Sequence, residues 1–197
     1  METLLDYSPD KVKYAGRYYR VNTAYDVVLL TQRLYEEEIL NTGDKIKQAL
    51  RMLVKSKFFL WLLSPTEQVE LLEKITKEKI AAPKCSQSSG ERLIDFFQDG
   101  GYIYSSFRQA YGIDLMKERG RLSWKRFIDL LEGLPEKTKI KEVMRIRAME
   151  LPEPTRYNQK ERRNIMELKA YYGLSAKSGG GQNGLNMLFS TLARMAQ

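Results

Sequence analysis

Residues Asp95 to Leu115 read DFFQDGGYIYSSFRQAYGIDL, and the Asp99-Gly100-Gly101 step at their centre decides between two architectures. A turn at the glycines would leave two aspartates and three tyrosines around a loop, where a site could be built. A helix running through them makes the stretch part of a helical core instead. Helical phase separates the two. At 100° per residue, Leu93, Phe96, Ile103, Phe107, Ala110 and Tyr111 fall within one arc of roughly 100°, with Phe97 and Tyr104 at its edge. A turn would preserve that register only by accident, so one helix is expected from Glu91 to Tyr111, stopped by Gly112 with Ile113 beyond it. The two internal glycines then cost about 1 kcal/mol each relative to alanine. Gly100, inside the apolar arc, is expected where another backbone comes close. Asp95 and Asp99 become an i, i+4 pair on the polar side, a solubilising or basic-residue-attracting pair rather than an acid/base or metal site.

Upstream, KVKYAGRYYRV (about 11–21) alternates Val and Tyr around Ala15-Gly16 and reads as a β-hairpin. Thr23 and Asp26 stand at capping-box spacing and open a helix to about Ile39. A second helix is expected over Asp44 to Val54. Ser64-Pro65-Thr66-Glu67 combines a serine cap, proline at the first helical position and glutamate at the third, opening a helix to about Ile80. Ala81 to Gly90 is loop-like in composition. Downstream, Ser123 precedes WKRFIDLLEG, with Trp124, Phe127, Ile128 and Leu131 on one stripe. Thr138 opens KIKEVMRIRAME, and NQKERRNIMELKAYYG forms a basic helix ending at Gly173. The expected fold class is mainly α, a helical bundle-like domain over residues 1–173 with a short N-terminal hairpin. Residues 174–184, LSAKSGGGQNG, have flexible-linker composition. In residues 185–197, Leu185, Leu188, Phe189 and Leu192 share one face of an amphipathic helix. Such a short helix is marginal alone in water, so this stripe is a candidate partner-binding element.

Arg147 lies in the middle of an arc built from Ile140, Val143, Met144 and Ala148. A charge there is costly unless paired. Either Arg147 forms a structural ion pair with Asp95, Asp99, Asp114 or Asp129, the expected arrangement, or this face meets a partner.

The 197 residues contain no histidine, which removes Ser-His-Asp and Cys-His chemistry, a histidine base and imidazole zinc ligation together. No phosphate loop or dinucleotide fingerprint is present. No catalytic, metal-binding or cofactor-binding residue is therefore assigned, no cofactor is expected, and the protein is expected not to be an enzyme. The single cysteine, Cys85, suits a reducing compartment. The longest apolar run, FFLWLL at Phe58 to Leu63, is far shorter than the roughly 20 residues that span a bilayer, so no membrane partner is expected. Charge is lopsided. Residues 1–115 carry 16 Lys and Arg against 16 Asp and Glu, whereas residues 116–197 carry 17 against 9. Such an excess suits either solvated helix faces or a polyanionic partner.

Three segments, IDFFQDGGYIYSSFRQAYGIDL, LSWKRFIDLLEGLP and KIKEVMRIRAMEL, with YRVNTAYDVV upstream, resemble the bacteriophage gene product fifteen family of long-tailed phages and prophages. The resemblance covers about Asp6 to Gly173. It implies a non-enzymatic tail-module protein, a tail assembly chaperone that holds the tape-measure protein while tail-tube subunits polymerise around it. The implied partners are the tape-measure protein and the tail-tube subunit, with self-association left open. The implied location is the bacterial host cytoplasm, not the mature virion. The alternative, resting on the basic second part, is a helical nucleic-acid-binding protein of a phage or prophage.

Overall fold

The computed structural model describes residues 10–37, 39–80 and 93–175. They are mainly helical, with one two-stranded antiparallel hairpin at the N-terminal end. Contacts gather the residues into two units. One holds the described residues up to 80 together with Arg119–Phe127; the other holds residues 93–118 and 128–175. The sequence expectation treats all of these as one domain.

In the first unit, β1 (Lys11–Tyr14) pairs with β2 (Arg17–Arg20), Val12 opposite Tyr19. Both of these residues face the core and are buried. Ala15 and Gly16 take φ of 48° and 76°, the left-handed pair required by a two-residue turn that matches strand twist. Helix α1 (Tyr25–Glu36) packs on α2 (Thr42–Leu53), and α2 on α3 (Pro65–Lys79). Val28, Leu50, Leu53, Leu71 and Ile75 are buried in this unit.

The helix starts show which local signals prevailed. Ser64 and Glu67 form the expected capping box, each side chain bonding the other's backbone N–H. Asn41 caps α2 by accepting from the Asp44 N–H at 2.8 Å. The capping box expected from Thr23 and Asp26 does not form. The Thr23 hydroxyl donates to Asp10, and Asp26 accepts from the Gly120 N–H. The Tyr25 N–H goes to the Leu122 carbonyl and the Trp124 N–H to the Thr23 carbonyl. Residues 119–127 are thus stitched to the start of α1, and this tertiary pairing takes the groups that local capping would use. Helix α1 stops at Glu36, short of the expected Ile39.

In the second unit, α4 (Gly100–Tyr111) packs on α6 (Lys139–Ala148), and α6 on α7 (Gln159–Tyr172). Helix α5 (Trp124–Glu132) contributes its first turn to the first unit and the remainder to the second. Ile103, Phe107, Leu131, Ile140 and Val143 are buried here. Gly112 ends α4 at φ 68°, the left-handed stop expected from the sequence.

The start of α4 departs from expectation. The glycines are helical, but the helix begins at Gly100, and residues 96–99 form a separate turn. Phe96 is half-buried rather than core. Asp95 accounts for the break: its carboxylate accepts the N–H groups of Phe97 and Gln98, both at 2.7 Å, as a cap for that turn. The Asp99 N–H still reaches the Asp95 carbonyl at 2.8 Å, so the turn advances the chain nearly as a helix would. Gly100 meets no neighbouring backbone; a Cβ built there would touch nothing within 4 Å. Asp95 and Asp99 are buried, not on a polar face.

Candidate functional site

Two places concentrate chemistry that the fold does not require of an ordinary surface. The first surrounds Arg147, on the last turn of α6. Its guanidinium meets Asp99 in a two-pronged pair, with Nη1 to Oδ2 at 2.6 Å and Nη2 to Oδ1 at 2.7 Å. The side chains are only 6% and 0% exposed. Nη1 also donates to the Leu93 carbonyl at 2.8 Å, and Nε donates to the Tyr172 carbonyl at 2.7 Å. Asp99 additionally accepts the Asp95 backbone N–H at 2.8 Å. The Arg147 carbonyl receives the Lys169 ammonium at 2.9 Å. One side chain thereby ties the chain before α4, the start of α4 and the end of α7 to α6.

Of the four carboxylates named from the sequence, Asp99 is the one that meets Arg147. Asp95 caps the turn before it. Asp114 accepts from the Met116 N–H and the Tyr104 hydroxyl, and Asp129 is exposed on α5. Four of the five guanidinium N–H groups go to internal acceptors, which makes this a structural clamp rather than a reactive site.

The C-terminal end of α7 is held mostly by polar contacts, since none of its residues is buried. The Gln98 side-chain amide donates to the Gly173 carbonyl at 2.8 Å and accepts the Ser175 N–H at 2.9 Å. Lys139 lies over the Tyr172 ring and donates to its hydroxyl. That hydroxyl, and then Glu142, raise the Lys139 pKa above its ordinary value against the loss of water.

The second place is one that sequence reasoning read only as an apolar run. Lys57–Leu62 forms a 3-10 helix between α2 and α3. With three residues per turn, side chains three apart eclipse, so Phe58 and Trp61 stand on one line and Phe59 and Leu62 on the next. Leu60 is buried, while Phe58 is 67% and Trp61 69% exposed. Phe58 meets Phe59 and Trp61 edge-on, with centroids 5.3 and 6.1 Å apart. The hairpin borders this ridge. The Arg17 guanidinium lies 5.1 Å from the Phe59 ring centroid, and the Lys13 ammonium 5.8 Å from that of Tyr18, itself largely exposed. Beside them the Tyr14 hydroxyl donates to Glu70 at 2.6 Å; burial first, and that carboxylate second, push its pKa up to about 12. A run of six apolar residues next to lysines is the signal available in the sequence, and its 3-10 path is what turns four of them outward.

The C-terminal stripe of Leu185, Leu188, Phe189 and Leu192 lies outside the described residues, as does the linker before it. Among the described residues, no group of three or more His, Cys, Asp or Glu side chains is arranged to hold a metal ion. No helix among them is long and apolar enough to cross a membrane.

The architecture is that of a mainly helical protein carrying a hairpin, an internal ion-pair clamp and an uncovered aromatic ridge. The sequence profile of the family described as Bacteriophage Gp15 protein matches residues 4–174, and the chain belongs to that family. Comparison with curated proteins and with solved structures finds no match.

Proposed function

We propose that this phage protein is a non-enzymatic tail assembly chaperone that binds the tape-measure protein during tail-tube assembly. Membership of the phage family supports this reading. The observation that carries it is the ridge of Phe58, Phe59, Trp61 and Leu62, left open to solvent beside a well-filled core. Contiguous exposed aromatic surface marks a place where another chain is held. The chaperone acts in the host cytoplasm, alone or self-associated, and leaves the tail before the virion is complete.

Co-production of the tape-measure protein from the same phage or prophage tests the reading. Tape-measure protein that is soluble and co-purifies with this chain, but is insoluble without it, is the expected result. Tape-measure protein equally insoluble in both cases, with no co-purification, overturns it. Salt-sensitive retention of this chain on DNA in place of such an association would favour the nucleic-acid-binding alternative.

A further inference from the structure

We infer that the aromatic ridge of Lys57–Leu62, with the adjoining hairpin, docks an acidic amphipathic helix of another protein. The inference rests on the chaperone reading only for the identity of the chain that supplies the helix. The apolar part of the surface is Phe58, Phe59, Trp61 and Leu62. Its fringe is mainly cationic. Arg17, on the hairpin face that meets the ridge, and Lys55 and Lys57 at its start are exposed, and residues 55–63 contain no carboxylate; the register puts Lys11, Lys13, Tyr18 and Arg20 on the opposite face of the hairpin. Two acids follow on α3, already engaged as acceptors, Glu67 from the Ser64 N–H and Glu70 from the Tyr14 hydroxyl of the hairpin. The ridge meets the hairpin through Arg17, which lies over Phe59, and through the Lys55 N–H, which bonds the Arg20 carbonyl at 2.9 Å. Apolar anchors inside a cationic fringe select a partner with an apolar stripe flanked by carboxylates.

Charge separates this occupant from others. A second copy of the chain brings a net charge of +8. The chain's own stripe at residues 185–197 carries Arg194 and no carboxylate. Neither complements the fringe. A lipid surface would keep Arg17 at its headgroups beside the buried rings, so the vesicle titration is what separates it from a helix. A single-stranded nucleic acid needs open ring faces for stacking. Here the Phe59 ring carries a cation and the Phe58 ring meets its neighbours edge-on.

The chain reports on its own ridge, since its two tryptophans are Trp61, exposed, and Trp124, 2% exposed. The full chain is titrated, with emission followed, using two synthetic helical peptides that share one apolar face, one carrying glutamates and the other lysines on the polar face. Anionic phosphatidylserine vesicles and an oligothymidylate are titrated in parallel. The glutamate peptide should shift Trp61 emission to the blue and saturate, and Trp61→Phe should abolish the shift. The lysine peptide should bind at least about tenfold more weakly, a gap that narrows as salt rises from 0.15 to 1 M because the Debye length falls from about 8 to about 3 Å. Phe58→Ala, and separately the Arg17→Glu/Lys57→Glu pair, should each weaken the glutamate peptide by about tenfold or more. These side chains are exposed, so an unchanged circular dichroism spectrum is the accompanying control. Equal or tighter binding of the lysine peptide, the vesicles or the oligonucleotide overturns the inference, as does indifference to both sets of substitutions. If the variants keep the tape-measure protein soluble as well as the wild type does, the chaperone reading stands and this surface falls. If the glutamate peptide binds here and the tape-measure protein is not held, the surface stands and the chaperone reading falls.

Discussion

Replacing Arg147 by methionine keeps most of the side chain's length and removes the four hydrogen bonds that the guanidinium donates to Asp99, Leu93 and Tyr172. The Asp99 carboxylate, 0% exposed, then keeps the Asp95 backbone N–H as its remaining donor at 2.8 Å. Stranding one member of a buried pair costs about 3–5 kcal/mol, a large share of the roughly 5–15 kcal/mol that holds a domain folded. With a urea slope of about 2 kcal/mol/M, a 4 kcal/mol loss lowers the unfolding midpoint by about 2 M. Both tryptophans belong to the first unit, so the helical signal at 222 nm is the readout to follow for a change in the second. Arg147→Met/Asp99→Leu should recover much of the loss, because replacing both charges by apolar groups of similar size is often close to neutral. The reasoning fails if Arg147→Met costs less than about 1 kcal/mol, or if the double variant is no more stable than the single one.

Two glycines should respond oppositely to alanine. Gly101 is helical and exposed, and a Cβ there meets nothing within 4 Å, so Gly101→Ala should stabilise by about 0.4–1 kcal/mol. Gly112 sits at φ 68°, and Gly112→Ala should cost about 1–2 kcal/mol despite equally open space; thermal unfolding that moves both variants the same way would refute the distinction. The Glu67 carboxyl is held below its ordinary value, first by the Ser64 backbone N–H and then by the Ser64 hydroxyl. A depressed folded-state pKa contributes stability that is present above the unfolded value of 4.5 and lost as pH falls through the folded one. Wild type should therefore lose a small increment to Glu67→Ala at neutral pH, and the difference should vanish in acid; a gap that widens with acidity contradicts it.

Much of the helical order is legible in the sequence where one local group decides the outcome. Ser64 with Glu67, Gly112, and the Ala15-Gly16 turn all act within a few residues of themselves. The misread positions are those where a partner distant in sequence competes. Thr23 and Asp26 have the spacing of a capping box, but Asp10 and Gly120 take their side chains. The phase argument across Asp99-Gly100-Gly101 correctly keeps the glycines helical, yet places the helix start too early. The turn of residues 96–99 advances the chain in near-helical register, so hydrophobic periodicity does not register the break, and only the tendency of Asp95 to cap would have signalled it. The same periodicity places Asp95 and Asp99 outward. Arg147 within an apolar arc was the better guide, since it demands a buried acid without saying which. The aromatic ridge was hidden for a related reason: a six-residue apolar run reads as core, and the outward turn of Phe58 and Trp61 depends on the 3-10 path between α2 and α3.

The contact of Gln98 with Gly173 and Ser175 amounts to one rung of a ladder built without a strand. A side-chain amide holds a planar donor and acceptor side by side, as one strand residue turns its own N–H and C=O to the same neighbour, and here it pairs with one carbonyl and one N–H of the main chain. Glutamate at this position would lose the donor, lysine or arginine the acceptor, and methionine would keep the length alone. Asparagine has the right group on a stem one methylene shorter. The rung is exposed, so what it supplies is discrimination more than strength: the exit from α7 recognises residue 98 by its functional group rather than by its bulk or charge.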